Sequence, residues 1–129
     1  MIPRNYTYRL LSCAYEVYNT LGPGLLESIY EEALSKELSA QGFSVERQVS
    51  VPVNYKGERL HNDLRLDLMV DGKIILELKS VADYRTLFEK QLYTYLRLTG
   101  CELGYVINFN VEHLQAGIHP VVNRTTDHS

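Results

Sequence analysis

The chain contains no tryptophan, only two cysteines and four prolines in 129 residues, and no apolar run long enough to span a bilayer. Two cysteines as far apart as Cys13 and Cys101 exclude a zinc cluster and a disulfide framework and read as reduced thiols. No charged-then-apolar segment opens the chain, so a soluble, cytoplasmic protein without a membrane partner is expected. Excess positive charge is missing too. A net charge of −3 rules out a global field that would draw in nucleic acid, and any contact with a polyanion has to be local. There is no glycine-rich phosphate loop and no serine or cysteine nucleophile motif. His61, His113, His119 and His128 are scattered without metal-ligand spacing. Aromatic content is tyrosine, ten residues against three phenylalanines, which suits half-buried rings with wet hydroxyls better than a base-stacking platform.

An apolar content of 45% provides for one domain with a real core, residues 1–129, ordered over about 5–123 with a polar tail from Arg124 to Ser129 that frays. Leu11, Ala14, Tyr15, Tyr18 and Leu21 recur at helical spacing until Gly22-Pro23-Gly24. A second helix follows, its inward face reading Leu26, Ile29, Tyr30, Ala33, Leu34 and Leu38, with Gln41-Gly42 as its end. From Phe43 the period becomes two through Tyr55, and Pro52 marks an edge strand or a bulge. After Lys56-Gly57 the chain returns from Arg59 to Val70 and leaves again from Lys73 to Lys79, a three-stranded meander. A helix from about Tyr84 to Thr99 follows, with Phe88, Leu92, Tyr95 and Leu96 inward. Glu102 to Phe109 then reads as a buried strand, and Gly117 to Val122 as a short edge strand broken by Pro120. This order predicts an α/β fold, a mixed sheet flanked by helices.

Chemistry concentrates in two alternating segments, RLDLMV and KIILELK, joined at Asp71-Gly72. Leu66, Leu68, Val70, Ile74, Leu76 and Leu78 define a buried face, leaving Asp67, Glu77 and Lys79 on the other. A two-residue turn would separate the carboxylates. A three-residue loop, Val70-Asp71-Gly72 with Gly72 left-handed, pairs Met69 with Lys73 and sets Asp67 opposite Ile75. Glu77 is then a diagonal neighbour roughly 7 Å away, and the six apolar residues stay on one face. That second register is the expectation. Two carboxylates sharing one hairpin call for a cation between them, and an adjacent lysine is placed to orient or deprotonate a water. Each residue also has a plain reading. Glu27 fits a helix-capping role, Asp67 a cross-strand ion pair with Lys79 or Lys73, Lys79 a solvated strand end, and Gln91 a polar helix edge. Lys56, Arg59, Arg65, Lys73, Arg85, Lys90 and Arg97 read first as surface charge.

Gly24-Leu25-Leu26-Glu27-Ser28-Ile29-Tyr30 resembles the GxxExxY signature, and Asp67, Glu77-Leu78-Lys79 and Gln91 stand where that family's other motif positions stand. The family is grouped with the PD-(D/E)XK nucleases, and the likeness extends over about residues 5–123. It implies a restriction-endonuclease-like α-β-β-β-α-β core, here with an extra N-terminal helix. Two positions depart from the pattern: Leu66 replaces the proline before the aspartate, and Phe88 stands where relatives often carry histidine.

The resemblance implies metal-dependent hydrolysis of nucleic-acid phosphodiesters, with DNA the expected partner. Mg²⁺ is the implied cofactor and Mn²⁺ its substitute, bound by Asp67, Glu77 and the carbonyl of Leu78, with Glu27 assisting through water. Lys79 would position or activate the attacking water, and Gln91 would orient that lysine or the substrate. Tyr30 and Tyr95 would support the site as core residues with hydroxyls directed toward it. A non-catalytic nucleic-acid-binding or protein-interaction module that keeps the fold, and a homodimer that completes the site, are the alternatives left open.

Overall fold

The structure, a computed structural model, describes residues 2–124. The fraying expected of the tail past Arg124 lies outside them. Helix α1 spans Arg4–Leu21 and α2 spans Glu27–Ala40. Strand β1 (Val45–Val51) leads to a small hairpin, β2 (Asn54–Tyr55) with β3 (Glu58–Arg59), and the chain returns as β4 (Leu64–Val70) and β5 (Ile74–Lys79). Helix α3 (Leu87–Thr99) crosses to β6 (Leu103–Asn108), and β7 (Ile118–Val122) follows a 3₁₀ turn. The five-stranded sheet has the order β1-β4-β5-β6-β7. All its neighbours are antiparallel except β5 and β6, which run parallel because the α3 crossover joins them. This is the mixed sheet flanked by helices, with an N-terminal helix, that the sequence predicts.

Both prolines in strand-forming segments act at the sheet's edges. Pro52 cannot donate to a ladder, so pairing of the main sheet stops at Val51, and β2 and β3 form a separate hairpin instead of prolonging the meander. Pro120 sits within β7, opposite Tyr105, on an edge strand that it does not break.

The helices bury much of the stripes that their periodicity suggests, Ala14 with Leu11 and Tyr18 in α1 and Tyr30, Ala33, Leu34 and Leu38 in α2, and differ at the margins. In α1 the inward residues are Leu10, Cys13, Ala14 and Val17, whereas Tyr15 and Leu21 are exposed. In α2, Leu26 and Ile29 face solvent, and Glu31 is buried beside Tyr30, Leu34 and Leu38. The exposed residues lie at the margins of the apolar stripes, where the helix face turns from the sheet to solvent.

Two apolar layers result. The α1–α2 side packs Leu34, Leu38, Leu68, Val70, Ile74, Leu76, Leu78 and Ile107, and the α3 side packs Leu66, Ile75, Leu92, Leu96 and Val106. Strand β5 is therefore covered on both faces, which is why its odd-numbered Ile75 is as buried as its even-numbered neighbours. At Gly117 a Cβ would lie 2.1 Å from the carbonyl oxygen of Asn108, so only glycine lets the 3₁₀ turn close over the end of β6. Gly117→Ala is expected to destabilise the protein by about 1–3 kcal/mol in urea denaturation, since the obstruction is backbone and cannot rotate away.

Candidate active site

Strands β4 and β5 pair through Val70 with Ile74, Met69 with Ile75 and Leu68 with Leu76. The loop is thus Asp71-Gly72-Lys73, two residues away from the expected register, and Met69 faces Ile75 instead of Lys73. Tertiary bonds impose this loop. The Tyr6 hydroxyl donates to Asp71 Oδ2 at 2.7 Å, the Ser44 amide donates to Oδ1 at 2.7 Å, and the Asp71 amide donates to the Ser44 carbonyl at 2.7 Å. They hold Asp71 at φ 53°, a left-handed conformation that aspartate tolerates better than most residues. A shift of two preserves which side chains share a face, and it brings each carboxylate within hydrogen-bond reach of the other strand's backbone.

Past Leu68 and Leu76 the ladder gives way to side chains. The Asp67 amide donates to Glu77 Oε2 at 2.9 Å, and the Leu78 amide donates to Asp67 Oδ2 at 2.8 Å. Each strand's carboxylate replaces the carbonyl that the other strand's amide would have met. Here β4 turns toward β1, and β5 continues along β6 through Glu77–Val106, Leu78–Ile107 and Lys79–Asn108. The alternation of β4 also reverses: Leu68 and Val70 pack with α1 and α2, but Leu66 packs with α3, so the six even-numbered residues do not share one face. A matching reversal occurs in β1 at Gln48, whose φ is 52°. Val45 packs on the α1–α2 side, Val49 and Val51 on the α3 side.

Glu77 is 8% exposed, and burial, reinforced by the charge of Asp67, pushes its acid up to about 8 despite the Asp67 amide and Lys79. Burial likewise raises Asp67, opposed by the Leu78 amide and Lys79. Two acids in this state favour a cation. Lys79 is half-buried, its Nζ 4.5 Å from the centre of the Phe88 ring. Behind it, the buried Asn108 donates Nδ2 to the Val81 carbonyl and accepts the Val81 and Asn110 amides on Oδ1, clipping the end of β5 to the end of β6.

Glu27 opens α2 without capping it; its Oε2 accepts the Ser80 amide at 3.3 Å, next to Lys79. Gln91 is exposed on α3 one turn before Tyr95, whose hydroxyl is raised by burial and by the charges of Glu77 and Asp67 and lowered by Gln91. Tyr30 is the core residue expected, but its hydroxyl donates to the Gly22 carbonyl at 2.5 Å and accepts the Leu25 amide, and its ring stacks on Phe109, so it ties the α1–α2 loop and makes no hydrogen bond to Asp67 or Glu77. That loop reaches the site indirectly, because Ser80 Oγ donates to the Leu25 carbonyl at 2.6 Å.

One residue went unread in the sequence. Glu31 is 7% exposed, accepts from Arg47 Nε at 3.2 Å and Gln48 Nε2 at 2.6 Å, and its charge raises both Asp67 and Glu77. Its spacing four residues after Glu27, on the same helix face, was the available signal.

Among the described residues no cluster of three or more His, Cys, Asp and Glu side chains is gathered for a metal. The donors near one another are Asp67 and Glu77. Each uses one oxygen on a backbone amide, and Oδ1 of Asp67 and Oε1 of Glu77 have no protein donor among the described residues. Among the described residues no buried side-chain oxygen is left unpaired, so these two retain some contact with solvent. Paired carboxylate oxygens with the nearby Leu78 carbonyl fit a hard cation such as Mg²⁺, which takes one or two protein carboxylates and keeps other positions for water and phosphate.

The raised acid has a pH signature. Glu77 binds its proton more tightly folded than at its ordinary value of 4.5, so its stabilising contribution is present below that pH and is lost as pH rises through about 8. In chelator, the melting temperature is expected to fall between about pH 5 and 8; Glu77→Gln flattens the fall, and Mg²⁺ restores progressively more stability toward pH 8. Thermal melts across that range check it.

No curated protein and no solved structure shows a significant match to the chain. A family model described as the PD-(D/E)XK nuclease superfamily matches residues 4–121, nearly the whole sequence and every element that positions Asp67, Glu77 and Lys79. The chain belongs to the PD-(D/E)XK nuclease superfamily.

Proposed function

We propose that the protein is a metal-dependent nuclease of the GxxExxY kind that hydrolyses phosphodiester bonds in nucleic acid, DNA in the first instance. The observation that carries this reading is the reciprocal arrangement of Asp67 and Glu77, each fixed by the other strand's backbone and each with a second oxygen that meets no protein donor among the described residues. Asp67, Glu77 and the Leu78 carbonyl would hold Mg²⁺, or Mn²⁺ in its place. The ion, when bound, supplies charge neutralisation at the phosphate and a more acidic water.

The protein's own residues do the rest. Lys79, coupled by charge to both carboxylates, positions the attacking water and counters the charge growing on the phosphate oxygens. Gln91 and Tyr95 stand one turn apart on α3, with Tyr95 close enough to feel the charge of both acids, and Gln91 would orient the lysine or the scissile group. Glu27 fixes Ser80, directly after Lys79, and contributes through water. An open cleft of about 370 Å³ lined by Leu25, Leu26, Glu27, Ser28 and Ser80 borders this end of β5 and offers room for a strand.

Asp67→Asn and Glu77→Gln are each expected to abolish Mg²⁺-dependent cleavage, and Lys79→Met to lower it roughly 100- to 1,000-fold. Circular dichroism should show the fold retained. The assay is electrophoresis of single- and double-stranded DNA and RNA with Mg²⁺, Mn²⁺ or chelator. Binding without cleavage under every metal condition would replace the nuclease by a nucleic-acid-binding module, and cleavage that survives Asp67→Asn would remove this centre from the mechanism.

A further inference from the structure

Lys79 lacks the partner that normally orients a lysine near acids: among the described residues no carboxylate lies within ion-pair distance of it. Its neighbour is an aromatic face. Nζ sits 4.5 Å from the centre of the Phe88 ring, inside the roughly 6 Å reach of a cation–π contact. Phe88 is held in turn. It packs against the layer of Ile75, Leu92 and Leu96, and the Tyr84 ring meets it edge to face at 5.4 Å and 74°. Tyr84 stacks on His119 of β7 at 4.0 Å and 13°, and its hydroxyl donates to Glu89 Oε2 at 3.0 Å, the same oxygen that lies 3.7 Å from His119 Nδ1. A tier of three rings thus runs from the edge strand to the lysine.

We propose that Phe88 is a positioning residue for Lys79, and that the ring tier His119–Tyr84–Phe88 fixes where the ammonium sits in the site. The proposal rests on the reading of Lys79 as the residue that handles the attacking water. Its physical basis is the difference between a ring and a carboxylate as a partner. A π face attracts the charge without occupying the N–H groups in strong directional bonds, so all three donors remain available to a water or a phosphate oxygen. A carboxylate in the same place would take one or two of them and compete with the substrate. The lysine is the last residue of β5, where the ladder with β6 ends at Asn108, so its backbone is fixed and the ring supplies the constraint on its long, flexible stem.

The test separates the ring face from mere apolar packing. Phe88→Leu keeps an apolar side chain and removes the π system; Phe88→Trp keeps a π face. In Mg²⁺-dependent cleavage, Phe88→Leu is expected to lower kcat about 3- to 30-fold with KM unchanged, and Phe88→Trp to return most of the rate. An activity-independent reading comes from NMR of the full-length protein labelled at lysine. The Lys79 ε-methylene protons should be shifted upfield by the ring current, move to free-lysine positions in Phe88→Leu, and shift upfield again in Phe88→Trp. An unchanged kcat in Phe88→Leu, equal loss of rate in both variants, or unshifted Lys79 signals in the natural protein would each overturn the proposal. Should the natural protein cleave nothing, the nuclease reading falls by itself and the ring-current measurement still decides: upfield signals uphold the positioning contact, and unshifted ones end it.

Discussion

Two carboxylates facing each other across neighbouring strands repel, and burying them makes the repulsion worse; the fold accepts this because each acid is bonded to the other strand's backbone. The Asp67 amide meets Glu77 and the Leu78 amide meets Asp67, so the pair doubles as the connection between β4 and β5 where ordinary ladder bonds stop. Charge repulsion and strand pairing are thereby tied together. The amides lower the cost of ionisation, burial raises it, and the balance leaves Glu77 an acid whose ordinary range has moved to about 8. A cation between them would relieve this conflict, and one oxygen of each acid meets no protein donor among the described residues.

The rest of the molecule keeps that junction in place. Gly117 allows close approach to the end of β6, Asn108 clips β6 to the segment after Lys79, and β5 is sandwiched between two apolar layers. On the other side, Glu31 grips Arg47 and Gln48 at the point where β1 reverses its faces, alongside the reversal of β4 at Asp67. The face reversals of β1 and β4 are where regular sheet geometry is broken, and Glu31, which holds the first of them, acts by its charge on both acids. Irregularity of this kind needs surrounding structure to hold it, which explains why a helix contributes a buried glutamate to the edge strand.

Much of the architecture was legible in the chain. Alternation in RLDLMV and KIILELK, the glycine stops after the helices and the order of elements suffice for a mixed sheet flanked by helices, because period and turn chemistry are local properties. The candidate residues Asp67, Glu77 and Lys79 were legible as polar groups on one side of an apolar hairpin. Tyr30 was read as a site-facing hydroxyl because spacing from Glu27 says only that the two are near along a helix; the α1–α2 loop that claims its hydroxyl is eight residues upstream at Gly22.

The sequence by itself determined which segments become strands and helices and that two acids and a lysine share one hairpin, since these follow from neighbouring residues. Only the tertiary structure decided the hairpin's register. Tyr6 and Ser44, distant in the chain, bond Asp71 and hold it left-handed, and with that loop Asp67 and Glu77 each bond the other strand's backbone. Likewise, the burial of Glu31 beside the apolar face of α2 was settled by its bonds to Arg47 and Gln48 of β1. The physical reason is the same in both cases: several local arrangements were close in energy, and contacts between remote residues selected one.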